Sequence, residues 1–173
     1  GGSAGSTGAW PGSTSGLAEG QYFSLPVAGT FADQLLTDGF GPRILNGIYD
    51  FHRGLDIDQN RGDPIYAAGD GTIIHAGTET SGHPRSGIFV VIEHANHIFT
   101  GYLHLDSLAT GIVAGKQIST GNLIGYAGDS GENINTVHLH FNFYVSNNSG
   151  EIPSESREAY PPQLILDYPD TTN

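Results

Sequence analysis

The segment Val137-His138-Leu139-His140-Phe141 carries two imidazoles two residues apart. On a strand, where side chains alternate, both rings lie on one face with a repeat of about 6.6 Å. One ring can then bind a metal ion while the other works on the metal's water. His52-Arg53-Gly54-Leu55-Asp56 adds a neutral nitrogen and a hard carboxylate oxygen, the ligand types that join histidine at zinc sites with an open position. Together the two segments point to a catalytic metal. The second has a geometric difficulty, because four residues of extended chain span about 13 Å, too far for His52 and Asp56 to share an ion. Gly54 is expected to bend the backbone and bring them to one point. Taken alone, this pair reads equally well as an exposed histidine and a turn aspartate.

Tyr102-Leu103-His104-Leu105 supplies a third element. Tyr102 and His104 alternate with leucines and are predicted to share a face, either a wall of the site or the wet side of a hairpin. His75, His83, His94 and His97 lack a comparable pattern and are assigned to surfaces and turns. Three short motifs carry little weight. The run from Asp56 to Asp63 begins like a calcium loop, but Gly62 falls one place late and Ala67 stands where the bidentate Glu should be. Arg61-Gly62-Asp63 and the sequon Asn147-Asn148-Ser149 are short enough to occur by chance.

The elements that must position these residues are short. Residues 1 to 20 are almost all Gly, Ser, Ala and Thr, with a lone Trp10, and cannot bury enough apolar area to offset their ordering entropy. Residues 1–21 are therefore read as a flexible linker or tag remnant, and residues 22–173 as one domain. Strands are expected at Gly54 to Ile57, Pro64 to Ala68, Thr72 to Ala76, Ile88 to His94, His97 to His104, Leu123 to Ala127 and Val137 to Val145. Ile88 to Glu93 and Ile98 to Leu103 read as a hairpin joined through Ala95-Asn96. Helix is confined to single turns at Ala32 to Leu36 and Gln163 to Asp167. A faint echo links Gly62-Asp63-Pro64-Ile65 and the following Ile74-His75-Ala76-Gly77 with Gly115-Lys116-Gln117-Ile118 and Gly125-Tyr126-Ala127-Gly128. It suggests two similar hairpin units packed together. The expected fold is mainly β, an antiparallel sheet or sandwich on a duplicated motif, with an open groove.

Composition narrows the chemistry. The 26 glycines and 9 prolines favour a turn-rich β protein, and no apolar run is long enough for a membrane span. With no cysteine, any metal must be held by His, Asp or Glu. Six basic against 18 acidic residues give a formal charge of -12, which opposes nucleic acid and anionic membranes as partners. The chain starts at Gly1 and has no methionine, which is read as a processed or tagged product.

The combination resembles the lysostaphin-type zinc endopeptidases, the family with His-x-x-x-Asp and His-x-His signatures. The resemblance runs from Leu25-Pro26-Val27 through Phe40-Gly41-Pro42-Arg43, His52 to Asp56, Gly62 to Ala67, Gly69-Asp70-Gly71, Val91 to His94 and Thr100 to Leu105, to His138-Leu139-His140-Phe141. It implies one zinc per chain held by His52, Asp56 and His140, with His104 and His138 as the catalytic pair beside the metal's water. Two departures stand out. Thr136-Val137 replaces the common Gly-Pro, and Asn142 replaces the common Glu. Asn142 and Tyr102 are candidate supporting residues, and the change at Asn142 points to altered support of the site or altered substrate choice.

The activity implied is hydrolysis of peptide bonds in bacterial peptidoglycan, in a cross-bridge or stem peptide, by a secreted or periplasmic enzyme. The oligomeric state is left open, with a monomer the simplest reading. The same scaffold could instead run a metal-assisted β-elimination on a uronic-acid polysaccharide, or serve as a zinc-containing regulatory module without turnover. The shortage of Lys and Arg argues against a polyanionic substrate, and the presence of all five site residues argues against a module without turnover.

Overall fold

A computed structural model describes residues 23–29, 36–78 and 85–166. The expectations for the linker at 1–21, for Trp10, for His83 and for a helical turn from Ala32 lie outside these residues, apart from Leu36, which opens a strand rather than closing a helix.

The described residues form twelve strands: β1 (Leu36–Asp38), β2 (Gly41–Leu45), β3 (Ile48–His52), β4 (Leu55–Asp58), β5 (Pro64–Tyr66), β6 (Gly71–Thr78), β7 (Ile88–Glu93), β8 (Ile98–Leu108), β9 (Gln117–Ile118), β10 (Leu123–Ala127), β11 (His138–Val145) and β12 (Ala159–Tyr160). The main sheet runs β1-β4-β11-β8-β7-β6-β9, with β10 joining both β5 and β8 and β12 joining β11. Its strand pairs are all antiparallel. Among the described residues helix is limited to one turn, α1 (Glu155–Glu158), which the sequence reading did not anticipate, and a 3-10 turn at Pro162–Leu164 where one was expected. No helix among the described residues is long and apolar enough to cross a membrane.

The period of two in β11 divides the sheet into two faces. Leu139, Phe141 and Phe143 enter the large core with Leu55, Ile57, Val90, Ile92, Tyr102 and Leu105. His138, His140 and Asn142 take the other face, where Phe89, Val91, Phe99, Leu103 and Tyr144 form a smaller apolar cluster. The expected β7-β8 hairpin is present, and Asn96 (φ 62°) and His97 (φ 64°) make the left-handed turn that joins it.

The internal echo is expressed as an exchange. β5 of the first unit pairs with β10 of the second, Ile65 opposite Gly125. β9 of the second unit pairs with β6 of the first, Ile118 opposite Gly71. Each unit thus supplies the partner strand that the other lacks, which binds the two into one core.

The hairpin β2-β3 was missed, although its signal is plain in hindsight: Asn46-Gly47 (φ 51° and 79°) is a two-residue hairpin turn between apolar residues. Ile44, Ile48 and Tyr49 are 69%, 71% and 68% exposed, so neither face of its tip is covered and no buried alternation betrays it.

Candidate metal centre

Strand register assembles the site. On β11, His140 lies directly opposite Asp56 of β4, and on the other side β8 brings His104 alongside. His52 arrives from the end of β3, where Gly41 pairs with it at the base of the exposed hairpin. His52, Asp56, His104, His138 and His140 are each less than 10% exposed, yet all line one groove of about 420 Å³. The structure brings together all five residues singled out from the sequence.

Three donor atoms converge. His52 Nε2 and Asp56 Oδ1 are 3.1 Å apart, His140 Nδ1 and Asp56 Oδ1 3.0 Å, and His52 Nε2 and His140 Nδ1 3.2 Å. A tetrahedral ion with bonds of about 2.0–2.1 Å has ligand-to-ligand edges of roughly 3.3–3.4 Å, so the triangle is close to the size a metal needs. Its chemistry fits as well. His52 Nδ1 faces the Gly39 carbonyl at 2.7 Å, which can only accept, so Nδ1 carries the proton and Nε2 of the neutral ring is a lone pair. His140 Nε2 faces the Glu155 carboxylate at 3.1 Å, which leaves Nδ1 as the lone pair by the same argument. Two lone pairs and an anionic oxygen so close together require a cation among them, a proton or a metal ion. The pull on a proton is visible in His140. Burial opposes its charge, but hydrogen bonds and charge from Asp56 and Glu155 outweigh burial and raise its pKa to about 9. For Asp56 burial also opposes ionisation, and the bonds from His140 and His52 overcome it, holding the carboxyl well below the usual range.

Beside the triangle stand two more rings. His104 is 5.0 Å from His138 and 5.7 Å from His140, centroid to centroid. His104 Nδ1 donates to the Ser130 carbonyl at 3.0 Å and His138 Nδ1 to the Thr136 carbonyl at 2.9 Å. In the neutral tautomer each main-chain acceptor places the proton on Nδ1 and the lone pair on Nε2, and His138 Nε2 lies 3.6 Å from Asp56 Oδ1. Burial, then the neighbouring His140 and His138, lower the His104 pKa to about 3.

Several expectations need correction. Tyr102 does not share the face of His104. Val90 pairs with Tyr102 and Ile88 with Leu105, so three steps of β8 oppose two of β7. This bulge, with His104 at φ 69°, turns the imidazole into the groove and sends Tyr102 into the core. There its hydroxyl accepts from Ala68 N at 2.8 Å and pairs with Thr100 Oγ1 at 2.8 Å. His94 is not a surface residue either. It is 5% exposed, edge-on to Phe23, and bonded to the Asp70 carbonyl and Thr100 Oγ1. His75 is half-buried and stacks on Phe89, while His97 is exposed in its turn, as expected. Gly54 does not act through a left-handed bend. The chain leaves β3 at His52 and re-enters at Leu55, and glycine leaves room for the His140 ring.

Asn142 lies beside His140. Its Nδ2 donates to the Arg53 carbonyl and to Glu155 Oε1, both at 3.1 Å. Glu155 itself was missed, because nothing in a polar segment rich in Ser and Glu marks one carboxylate as a partner of His140. Three of the chain's six basic residues, Arg43, Arg53 and Arg85, also line the groove. Arg43 is paired with Asp38 and Asp50. Arg53 lies over the Phe51 ring and, like Arg85, makes no ion pair among the described residues.

An antiparallel β scaffold with a His-Asp-His donor set and two further imidazoles in an open groove defines the class of β-sheet metallopeptidases. Peptidase family M23 matches residues 50–152, more than half of the sequence, and the chain belongs to that family. Peptidoglycan DD-endopeptidase ShyA of Vibrio cholerae is 34% identical over 113 residues, which cover 64% of this chain and 25% of that protein. This chain thus spans about a quarter of the curated relative's length. Among solved structures, the catalytic domain of the antimicrobial peptidase lysostaphin from Staphylococcus simulans aligns with a TM-score of 0.63 at 28% identity, over 76% of this chain and 91% of that one. A zinc containing peptidase from Vibrio cholerae aligns with a TM-score of 0.61 at 35% identity, over 72% and 37%.

Proposed function

We propose that this chain is a zinc-dependent endopeptidase that hydrolyses peptide bonds of bacterial cell-wall peptidoglycan, acting outside the cytoplasm where that polymer lies. The observation that carries this reading is the triangle of two imidazole nitrogens and a carboxylate oxygen, with edges of 3.0–3.2 Å, beside two imidazoles whose Nδ1 is held by a main-chain carbonyl. His52, Asp56 and His140 would hold one zinc ion per chain. Zinc bound there supplies Lewis acidity, which polarises a carbonyl and lets water ionise near neutral pH. His104 and His138 accept the proton of the attacking water at Nε2 and return it to the departing amine nitrogen. Their carbonyl partners hold each ring in the tautomer that can do so. The zinc containing peptidase and the DD-endopeptidase among the relatives support the choice of metal and substrate. The domain is taken to run over residues 22–173 behind a Gly- and Ser-rich linker.

The groove wall bears on the substrate. A chain of formal charge -12 places half of its few cations here, so its acidity is unevenly spread and the mouth can receive a peptide bearing carboxylates, as wall stem peptides do. Among the described residues, Arg53 and Arg85 are the two of these without an ion pair.

The test incubates zinc-loaded protein with peptidoglycan, glycine-rich peptides and uronic-acid polysaccharides, following free amines and the ultraviolet absorbance of unsaturated sugars. Amine release from peptidoglycan is expected. Absorbance growth without amines would establish the lyase instead, and silence in every assay with zinc bound would establish a regulatory module.

A further inference from the structure

We propose that Glu155 is the positioning residue of the metal site, the acceptor that holds His140 with Nε2 protonated and Nδ1 turned to the ion. The other three histidines of the groove are set by main-chain carbonyls, of Gly39, Ser130 and Thr136. In His140 the nitrogen turned away from the donor triangle meets a carboxylate instead, Glu155 Oε1 at 3.1 Å from Nε2. Asn142 cannot do this work, because the atom it turns to the ring is the donor Nδ2, also 3.1 Å from Nε2. Its two protons go instead to the Arg53 carbonyl and Glu155 Oε1, so Asn142 aims the carboxylate that orients the histidine.

The turn bearing Glu155 is anchored independently of the site. Glu158 accepts from Ser146 Oγ at the end of β11 (2.9 Å) and from the backbone N–H of Ser154 (2.6 Å). This clamps α1 onto the strand that carries His140. A carboxylate behind a ligating imidazole fixes the ring's tautomer and orientation and makes the ligand more basic, and removing such a partner typically lowers metal affinity by about 10–100-fold. The chain therefore delivers from position 155 the negative charge that it lacks at position 142.

The inference rests on the zinc reading above, and the experiment separates the two. Zinc affinity is measured by competition with a chromophoric chelator for the wild type, Glu155→Ala, Glu155→Gln and Arg157→Ala. The imidazole N–H resonances of the zinc-loaded proteins are recorded in parallel by ¹⁵N-correlated NMR, and folding is checked by circular dichroism. We expect Glu155→Ala to lose about 10–100-fold in affinity and the exchange-protected Nε2–H signal of His140. Glu155→Gln, whose amide oxygen still accepts, should keep that signal and lose less affinity. Arg157→Ala, an exposed change on the same turn, should match the wild type. Glu155→Ala with wild-type affinity and an unaltered His140 signal would overturn the proposal, as would an equal loss in Arg157→Ala. Absence of zinc binding by the wild type would overturn the zinc reading and this inference with it.

Discussion

Gly54 lies against the imidazole of His140: a Cβ at position 54 would stand 2.6 Å from Cε1 and closer still to Nε2, with the Phe141 carbonyl 2.9 Å away on another side. The glycine of the His-x-x-x-Asp segment is thus required by the histidine of the other segment, 86 residues later in the chain. Gly54→Ala should displace the ring from Asp56 and His52, lowering zinc affinity at least tenfold. The overpacking should also cost the metal-free protein about 1–3 kcal/mol. Chelator competition and thermal melts with and without zinc check both. Wild-type affinity in Gly54→Ala would show that the ring has room to move.

The donor triangle and the flanking pair should separate on substitution. His52→Ala and His140→Ala remove a corner of the triangle and should lose zinc at micromolar free metal. His104→Ala and His138→Ala leave the triangle intact and should retain one zinc per chain while turnover falls by about 10²–10⁴-fold. Metal analysis after gel filtration, beside amine release from peptidoglycan, distinguishes the two classes. Loss of zinc in His104→Ala would make that ring a ligand.

Arg85 adjoins Ser86, whose carbonyl accepts the His104 backbone N–H at 3.0 Å, so its charge stands at the groove edge nearest the flanking pair. Arg85→Ala should raise KM several-fold for a peptide with a free carboxylate near the scissile bond and leave kcat nearly unchanged, with little effect on the amidated peptide. The loss should shrink as salt is raised, since exposed charges are screened. Equal effects on both peptides would remove Arg85 from substrate recognition.

Strand alternation placed part of the site from the sequence, the paired motifs and the family resemblance supplied His52, Asp56 and His104 at its breaks, and other breaks hid what they position. His138, His140 and Asn142 share a face because Leu139, Phe141 and Phe143 must enter the core. The same alternation misled at Tyr102, because the bulge at His104 is invisible in a period of two. His94 follows the last residue of β7, where sequence suggests a turn, yet Phe23 from a distant segment covers it. Glu155 meets His140 only because Glu158 and Ser146 pin α1 to β11. The β2-β3 hairpin buries neither face of its tip, so its strands leave no hydrophobic pattern to read.

The buried relay through His94 should make the protein sensitive to acid. Its donors run in one direction: the Ala68 N–H donates to the Tyr102 hydroxyl, Tyr102 to Thr100 and Thr100 to His94 Nε2, while His94 Nδ1–H donates to the Asp70 carbonyl. A second proton on His94 would point at the Thr100 oxygen, which can accept it beside the Tyr102 hydroxyl, but the Thr100 proton would then lose its acceptor in His94 Nε2. Burial is the main reason that the His94 pKa falls to about 4, against an unfolded value of about 6.5. A depressed folded pKa gives stability that is complete above the unfolded value and lost as pH falls through the folded one. The contribution should therefore decline from pH 6.5 to pH 4, by on the order of 3 kcal/mol for a group this deeply buried. His94→Phe removes the titration and should be less stable than the wild type at pH 7, because Thr100 and Asp70 lose their partner. Its melting temperature should nevertheless fall less steeply between pH 6.5 and pH 4. Parallel slopes for the two proteins across that interval would show that His94 takes up its proton without disturbing the fold.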